Sequence, residues 1–262
     1  MGTKDQMGRL NDTKMSLASR NWRSLYRVGG FSAFALILYS GLTIVQMVLL
    51  GGQPTSTEEA FRLLQTNRFV ALLRLDLPTI IVLPLYYLVF LSLYAALKKS
   101  SRTTALLATV LACAGNTLVL CTPTALSLIP LSDKYAAATS DAARARLLAA
   151  GDALMASDIW HGTGAMLGGA LLQTGAVLIS IAMLRGRVFG RFTAWLGIVM
   201  HGLDLAHVLA MVLIPTTGAI LLAIAGPLYP VWFFLIGRTL LHLSSHETPL
   251  IVGSSENSTM AS

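Results

Sequence analysis

The chain has 262 residues, of which 55% are hydrophobic and only 12% are charged. A soluble domain carries about 25% charged residues, so this composition cannot cover a globule with a polar surface. It excludes a disordered chain, a nucleic-acid-binding module and a water-soluble α/β enzyme. The net charge of +7 therefore does not indicate a nucleic-acid partner.

Six apolar runs are long enough to cross a bilayer. A helix rises about 1.5 Å per residue and needs about 20 apolar residues to cross the hydrocarbon core. The runs predict an all-α, polytopic membrane protein, a bundle of six transmembrane helices within residues 28–243. The predicted spans are 28–50, 70–97, 104–131, 159–184, 192–213 and 219–241.

Both ends of the chain are polar. Residues 1–27 contain six Lys and Arg and no signal-peptide pattern, so we predict a cytoplasmic tail. Residues 244–262 are Ser-rich and are predicted to form a disordered cytoplasmic tail. Thirteen Lys and Arg lie on the side of the two termini and six on the other, which predicts cytoplasmic termini in a prokaryotic plasma membrane.

The longest external connection is predicted at residues 132–157. It is Ala-rich and carries Asp141, Arg144, Arg146 and Asp152 at helical spacing. The pattern favours a short amphipathic helix on the outer membrane face, and a solvated helical loop fits it equally well.

Small residues and prolines predict how the helices pack and bend. Gly164, Gly168, Gly169 and Gly175 give the fourth span a small-residue face that allows close helix approach. The sequence PLYP at 227–230 predicts a break near the middle of the sixth span. Cys113 and Cys121 lie in one apolar run without metal-ligand spacing and are interpreted as packing residues.

Ionisable residues inside the predicted spans are the candidate functional groups. Each costs about 2.5–3.5 kcal/mol at the centre of a membrane helix, so such residues usually face a protein interior or a wet cavity. The seven candidates are Arg74, Asp76, Asp158, His161, His201, Asp204 and His207.

Four of these residues are expected to share one site. Their positions along the helices put them in overlapping layers of the outer half of the membrane: Asp76, His161, Asp204 and His207. This predicts an outward-facing polar pocket, and the further candidates for ligand binding are Arg74, Asp158, His201, Tyr229 and Trp232. The alternative is that each carboxylate pairs with a nearby His or Arg and only holds helices together.

Three chemistries fit these residue types. His161, Asp204 and His207 are suitable metal ligands, but no HExxH or HxxxH spacing supports a metal site. His161 and His207 could also ligate haem, but lone histidines in membrane helices more often form hydrogen bonds between helices. We therefore expect no metal and no cofactor. Acid–base chemistry needs only one acid and one base rather than a set of ligands. Asp76 or Asp204 could act as the acid and His161 or His207 as the base.

A family resemblance covers residues 28–240. It rests on six short stretches: LLQTNR at 63–68, LDL at 75–77, YAAAT at 135–139, AAGD at 149–152, MLR at 183–185 and VFG at 188–190. In these the chain resembles the bacterial six-helix membrane proteins grouped as domain of unknown function 4386. The resemblance implies a six-span fold in a plasma membrane and implies no activity.

Three functions follow as hypotheses. The preferred one is a membrane protein that binds or carries a small amphipathic molecule or ion, with Asp76 and Asp204 as proton-linked groups. The second is a membrane-embedded isomerase or cyclase that acts on an apolar substrate by acid–base chemistry. The third is a structural or accessory subunit. The lipid bilayer is the expected partner in all three, and the sequence names no ligand and no oligomeric state.

Overall fold

A computed structural model describes the backbone of residues 3–246 and the side chains of residues 22–245. Over these residues the chain is all α-helical, with no strand. The helices are α1 (Thr3–Leu50), α2 (Thr57–Thr66), α3 (Arg68–Arg74), α4 (Leu77–Leu97), α5 (Arg102–Leu120), α6 (Ala125–Ala137), α7 (Asp141–Met155), α8 (Thr163–Arg185), α9 (Arg191–Leu213), α10 (Pro215–Ala225) and α11 (Leu228–His246).

Six segments are long and apolar enough to cross a membrane, which confirms the predicted all-α, multi-pass bundle of six transmembrane helices. Two of the six are broken helices: the third consists of α5 and α6, and the sixth of α10 and α11. The six segments are Trp22–Leu50, Leu77–Leu97, Arg102–Ala137, Thr163–Arg185, Arg191–Leu213 and Pro215–Ser245.

The two predicted tails differ in how the structure describes them. Helix α1 already begins at Thr3, so most of the predicted tail 1–27 is helical, and the first membrane segment starts at Trp22. At the other end, α11 continues to His246. The first three residues of the predicted disordered tail, 244–246, thus belong to α11. The rest of that tail, from residue 247 onward, lies outside the described part of the chain.

The predicted second span, 70–97, is wrong at its beginning. Residues 68–74 form the separate helix α3, and the membrane helix α4 begins only at Leu77. Pro78 lies in the first turn of α4, where a missing N–H removes no helical hydrogen bond. Asp76 therefore lies in the turn between two helices and not inside a span.

Prolines also account for the breaks in the third and sixth segments. Pro123 lies between α5 and α6, and because it has no N–H and restricts the residue before it, the predicted continuous span 104–131 is interrupted there. In the sixth segment, α10 ends at Ala225 and α11 begins at Leu228. The break predicted at 227–230 is confirmed at Pro227, whereas residues 228–230 already belong to α11.

Helices α2, α3 and α7 gather at one end of the bundle, and we call them the cap. Together with α6 they enclose a second small core that includes Phe61, Leu64 and Leu128. The helix predicted within 132–157 is confirmed as α7, which packs on α2, where Gly151 is buried against Thr57 and Phe61. The first residues of the predicted connection, 132–137, instead belong to the last turns of α6.

Helices α5 and α8 cross at a contact made by glycine. A Cβ added at Gly115 would lie 2.4 Å from the carbonyl oxygen of Gly168, and one added at Gly168 would lie 2.7 Å from that of Gly115. One added at Gly175 would lie 2.5 Å from the carbonyl oxygen of Ala108. The predicted small-residue face is thus confirmed at Gly168 and Gly175, where it lets the two backbones touch, whereas Gly169 faces Val208 on α9.

Candidate functional site

The best-formed polar site lies inside the bundle, and we call it the buried polar cluster. It consists of four side chains from three helices: Gln173 on α8, His201 and Asp204 on α9, and Tyr229 on α11. The sequence analysis named three of the four as candidates and did not name Gln173. A glutamine in the middle of an otherwise apolar helix was the available signal, because a buried amide needs partners.

Gln173 is the centre of the cluster. Its Nε2 donates to Asp204 Oδ2 at 2.6 Å and to the Tyr229 hydroxyl at 3.0 Å. The Tyr229 hydroxyl in turn donates to the same Asp204 oxygen. Gln173 Oε1 lies 2.6 Å from His201 Nδ1, and because an amide oxygen only accepts, Nδ1 carries the imidazole proton. His201 Nε2 is then an acceptor.

The aromatic residue Trp232 closes the cluster on one side. Its ring meets the His201 ring edge to face, with centroids 4.8 Å apart, and the two side chains are 1% and 2% exposed. His201 Nε2 and Trp232 Nε1 are both buried without a hydrogen-bond partner. Trp232 thus contributes packing to the cluster and no hydrogen bond to its members within the described residues.

Two local features of the sequence build this site. Gly197, His201 and Asp204 follow at spacings of four and three and so share one face of α9. A side chain at Gly197 would collide with Ser180 and Trp232, so the glycine lets α8 and α11 approach this face. The break before α11 places Tyr229 in the first turn of that helix.

The structure does not bring together the four residues predicted to converge in one pocket. Asp76 accepts hydrogen bonds from the backbone amides of Thr124, at 2.5 Å, and Ala125, at 3.0 Å, at the beginning of α6. His207 Nδ1 donates to the carbonyl oxygen of Gly218 on α10 at 2.9 Å. Of the four predicted residues, only Asp204 belongs to the buried polar cluster.

The fourth predicted residue, His161, lies at the cap side of the bundle with Asp158. Its Nδ1 is 2.9 Å from Asp158 Oδ1, and its side chain is 62% exposed. Asp158 also accepts from the backbone amide of Trp160 and from the side chain of Gln53 at 3.3 Å. Equal depth was the basis of the predicted convergence, but depth does not fix the position of a residue around the bundle axis.

Arg74 also lies at the cap side. Its Nη2 is 2.8 Å from Glu59 Oε1, and its Nε donates to the carbonyl oxygen of Gly52 at 2.8 Å. Gly51 has φ of 89°, in the left-handed region that favours glycine, and a Cβ added there would lie 3.4 Å from Arg74 Nη2. The loop after α1 is thereby held against the end of α3.

The cap-side cavity, of about 280 Å³, lies where the end of α1, the 51–53 loop and the start of α4 meet. The Tyr39 hydroxyl is 2.9 Å from Thr79 Oγ1 on its wall. Arg74 is the one sequence-predicted site residue on this wall. Polar lining comes from Tyr39, Thr43, Gln46, Arg74 and Thr79, and apolar lining from Met47, Leu73, Leu75, Pro78 and Ile159, with Trp160 beside them.

The ionisation of Glu59 is expected to affect the stability of the cap. The backbone amide of Thr55, which donates to its Oε2 at 3.0 Å, and then Arg74 hold the pKa of the Glu59 carboxyl below its ordinary value of 4.5, against the opposing effect of burial. A pKa lowered by folding stabilises the protein above the unfolded value, and this stabilisation is lost as the pH falls through the folded-state value.

We therefore expect Glu59→Gln to lower the thermal unfolding midpoint at neutral pH and to flatten its decline below about pH 4.5. The measurement is the unfolding midpoint of the purified protein in detergent over a pH series. Glu58→Gln, which changes the adjacent exposed carboxylate, is the matched control. If the unfolding midpoints of the two variants depend on pH in the same way, the ionisation of Glu59 does not stabilise the cap.

The described residues offer no ready-made metal site. Among the side chains that the structure describes, 22–245, no group of three or more His, Cys, Asp and Glu is placed to hold a metal ion. The chemistry that the buried polar cluster offers is instead hydrogen bonding and proton exchange at one carboxyl group surrounded by neutral partners.

The chain matches no protein-family profile, no curated protein sequence and no solved structure. The resemblance to domain of unknown function 4386 therefore stays a prediction.

Proposed function

We propose that this is a plasma-membrane protein that binds or carries a small amphipathic molecule, which enters the cap-side cavity from outside the cell. The observation that carries this proposal is the composition of the cavity wall. Gln46, Arg74 and Thr79 present polar groups, and Met47, Leu73 and Pro78 present apolar surface within the same space of about 280 Å³. Ligand pockets combine apolar walls with a few polar groups in this way.

The size and position of the cavity narrow the ligand class. Its volume is just below the range of about 300–1,000 Å³ that is typical of small-molecule pockets, which favours a small ligand. It lies at the end of the apolar helices α1 and α4, where a molecule with one apolar part and one polar part meets both bilayer and water.

The distribution of positive charge supports the proposed orientation. Five basic residues lie in the connections at the end of the bundle opposite the cap or at the helix ends beside them: Lys98, Lys99, Arg185, Arg187 and Arg191. Basic connections favour the cytoplasmic side, so the cap faces outward and both termini lie inside. Membership of the six-helix family that the sequence resembles would agree with this arrangement.

The proposal is tested by filling the cavity. Thr43 lies on its wall, and we expect Thr43→Trp to weaken binding of an octyl amphiphile at least about tenfold, since the new ring occupies the space. The probes are three octyl amphiphiles with neutral, anionic and cationic head groups. Binding is measured by isothermal calorimetry on the full chain in lipid nanodiscs.

Thr117→Trp is the matched control. Both threonines are exposed on membrane helices, and each donates its hydroxyl to the carbonyl oxygen four residues earlier at 2.9 Å. Thr117 lies on α5 and does not line the cavity. Saturable binding that is lost in the Thr43 variant and kept in the Thr117 variant supports the proposal. Equal affinity in the two variants, or no saturable binding of any of the three probes, refutes it.

A further inference from the structure

We infer that Asp204 is a proton-binding site inside the transmembrane bundle, and that the hydroxyl groups of Tyr39, Thr79 and Tyr86 connect it with the cap-side cavity. This goes beyond the proposed function and does not require the cavity to hold an amphiphile. The inference rests on the surroundings of the Asp204 carboxyl group and on the line of polar groups along α4.

The carboxyl group of Asp204 is enclosed by neutral partners. It is 8% exposed, and its two described hydrogen bonds, from Gln173 and Tyr229, both reach Oδ2. None of the ion pairs among the described residues includes Asp204. A carboxylate in this place has hydrogen bonds from neutral groups, and His207 lies within electrostatic range of it without forming an ion pair. Oδ1 remains as the position at which a proton can bond.

Two opposing effects act on the protonation state of Asp204. Burying a carboxylate in a protein costs several kcal/mol even after relaxation. Hydrogen bonds to a charged group contribute about 1.5–3 kcal/mol each, and Asp204 receives two. Because burial favours the carboxylic acid and the two hydrogen bonds to Oδ2 favour the carboxylate, we expect the site to exchange a proton.

The titratable groups around Asp204 can be named element by element. Helix α11 contributes Tyr229, and α4 contributes Tyr86, whose hydroxyl lies within electrostatic range of Asp204. Helix α9 contributes His201, which bonds to Gln173, and His207, which bonds to Gly218. Helix α8 contributes only the amide of Gln173, which does not titrate, and the sequence of α10 has no titratable side chain.

The connection to the cavity follows one face of α4. Thr79 and Tyr86 are seven residues apart, two helical turns, and so lie on the same face. Thr79 bonds to Tyr39 on the cavity wall at 2.9 Å. Farther in, Tyr86 packs on Phe233 with ring centroids 5.9 Å apart, and Phe233 packs on Tyr229 at 6.1 Å. The Tyr86 hydroxyl lies within electrostatic range of both Tyr39 and Asp204, which places it between the cavity wall and the cluster.

The step itself is a simple proton transfer. A proton from water at the cap side reaches Asp204 Oδ1, where an O–H bond forms and the carboxylate becomes a neutral acid. Release is the reverse step, and no bond between heavier atoms forms or breaks. Throughout, Oδ2 keeps the hydrogen bonds from Gln173 and Tyr229.

Infrared difference spectroscopy of the full chain in lipid tests this without a transported ligand. We expect a pH change to produce the carbonyl-stretch band of a buried carboxylic acid, and Asp204→Asn to remove it. Asp133→Asn, at a half-exposed surface pair with Arg68, is the control and keeps the band. Tyr229→Phe removes one hydrogen bond to Asp204 and is expected to shift the frequency of the band. This second variant assigns the band to Asp204 even if Asp204→Asn does not fold. A wild-type spectrum without the band, or a band that persists in Asp204→Asn, overturns the inference.

The connection to the cavity is tested by the rate at which the band responds to a pH jump. We expect Tyr86→Phe to slow this response about tenfold, the effect on a barrier of about one lost hydrogen bond. Tyr87→Phe is the matched control, because its hydroxyl bonds to Thr117 on α5 and lies off the proposed line. Equal rates in the two variants would overturn the connection. Binding of octyl amphiphiles is measured on the same variants, so failure of the proposed function is recognised separately.

Discussion

Gly115→Ala is expected to push α5 and α8 apart and to lower the stability of the bundle by about 3 kcal/mol, the upper end of the usual cost of overpacking. The new methyl group would lie 2.4 Å from the carbonyl oxygen of Gly168 and 2.4 Å from the amide nitrogen of Leu172. Both are backbone atoms, so no side-chain rotation relieves the collision. The whole interface has to open instead.

The measurement is the fraction of folded protein that survives heating in detergent, followed by size-exclusion chromatography. Gly202→Ala is the matched control, because it also replaces a glycine inside a membrane helix and its Cβ would meet no atom within 4 Å. We expect the control to be neutral or slightly stabilising, since alanine favours the helix. If the two variants melt alike, the glycine contact does not hold the bundle together.

The sequence alone predicts part of this fold. The apolar runs were sufficient to predict six membrane segments, because length and composition alone decide whether a helix can cross the bilayer. They were not sufficient to place the turn at Asp76, since residues 70–97 read as one apolar run. That turn depends on contacts with the amides of Thr124 and Ala125, far along the chain.

The candidate site was predicted in part, for a related reason. The sequence analysis named His201, Asp204 and Tyr229 because ionisable or amphipathic groups in apolar helices need partners, and the structure brings these three together. It assigned Asp76 and His161 to the same site by depth. Depth is readable from residue number, whereas the angular position of each helix depends on packing that one sequence does not reveal.

The cluster and the cavity also differ in what kind of sequence signal marks them. The buried polar cluster contains ionisable residues inside apolar helices, and such residues can be recognised directly in the sequence. The cavity instead depends on the loop at 51–53 folding back over Arg74, which a glycine in the left-handed region permits. A short polar loop gives no comparable signal, which is why Arg74 was the one wall residue predicted.

Asp76→Ala is expected to destabilise the protein by about 4 kcal/mol, because it leaves two buried backbone donors unpaired at a cost of about 1–3 kcal/mol each. Asp76 is 1% exposed, and its two oxygens accept from the amides of Thr124 and Ala125, which begin α6. These are orphan donors of a helix N-terminus, and Asp76 reaches them from the start of α4. The carboxylate therefore links the second and third membrane segments.

These hydrogen bonds support a structural part for Asp76, and its acid–base part stays a prediction. Hydrogen exchange distinguishes the two. We expect the amides of Thr124 and Ala125 to exchange at least about tenfold faster in Asp76→Ala, since 1.4 kcal/mol of lost protection is already a tenfold change. Asp133→Ala, which removes a surface pair with Arg68, should cost less than about 1 kcal/mol. An Asp76→Ala protein that is as stable as the control, with unchanged exchange at the start of α6, would return Asp76 to the list of functional acids.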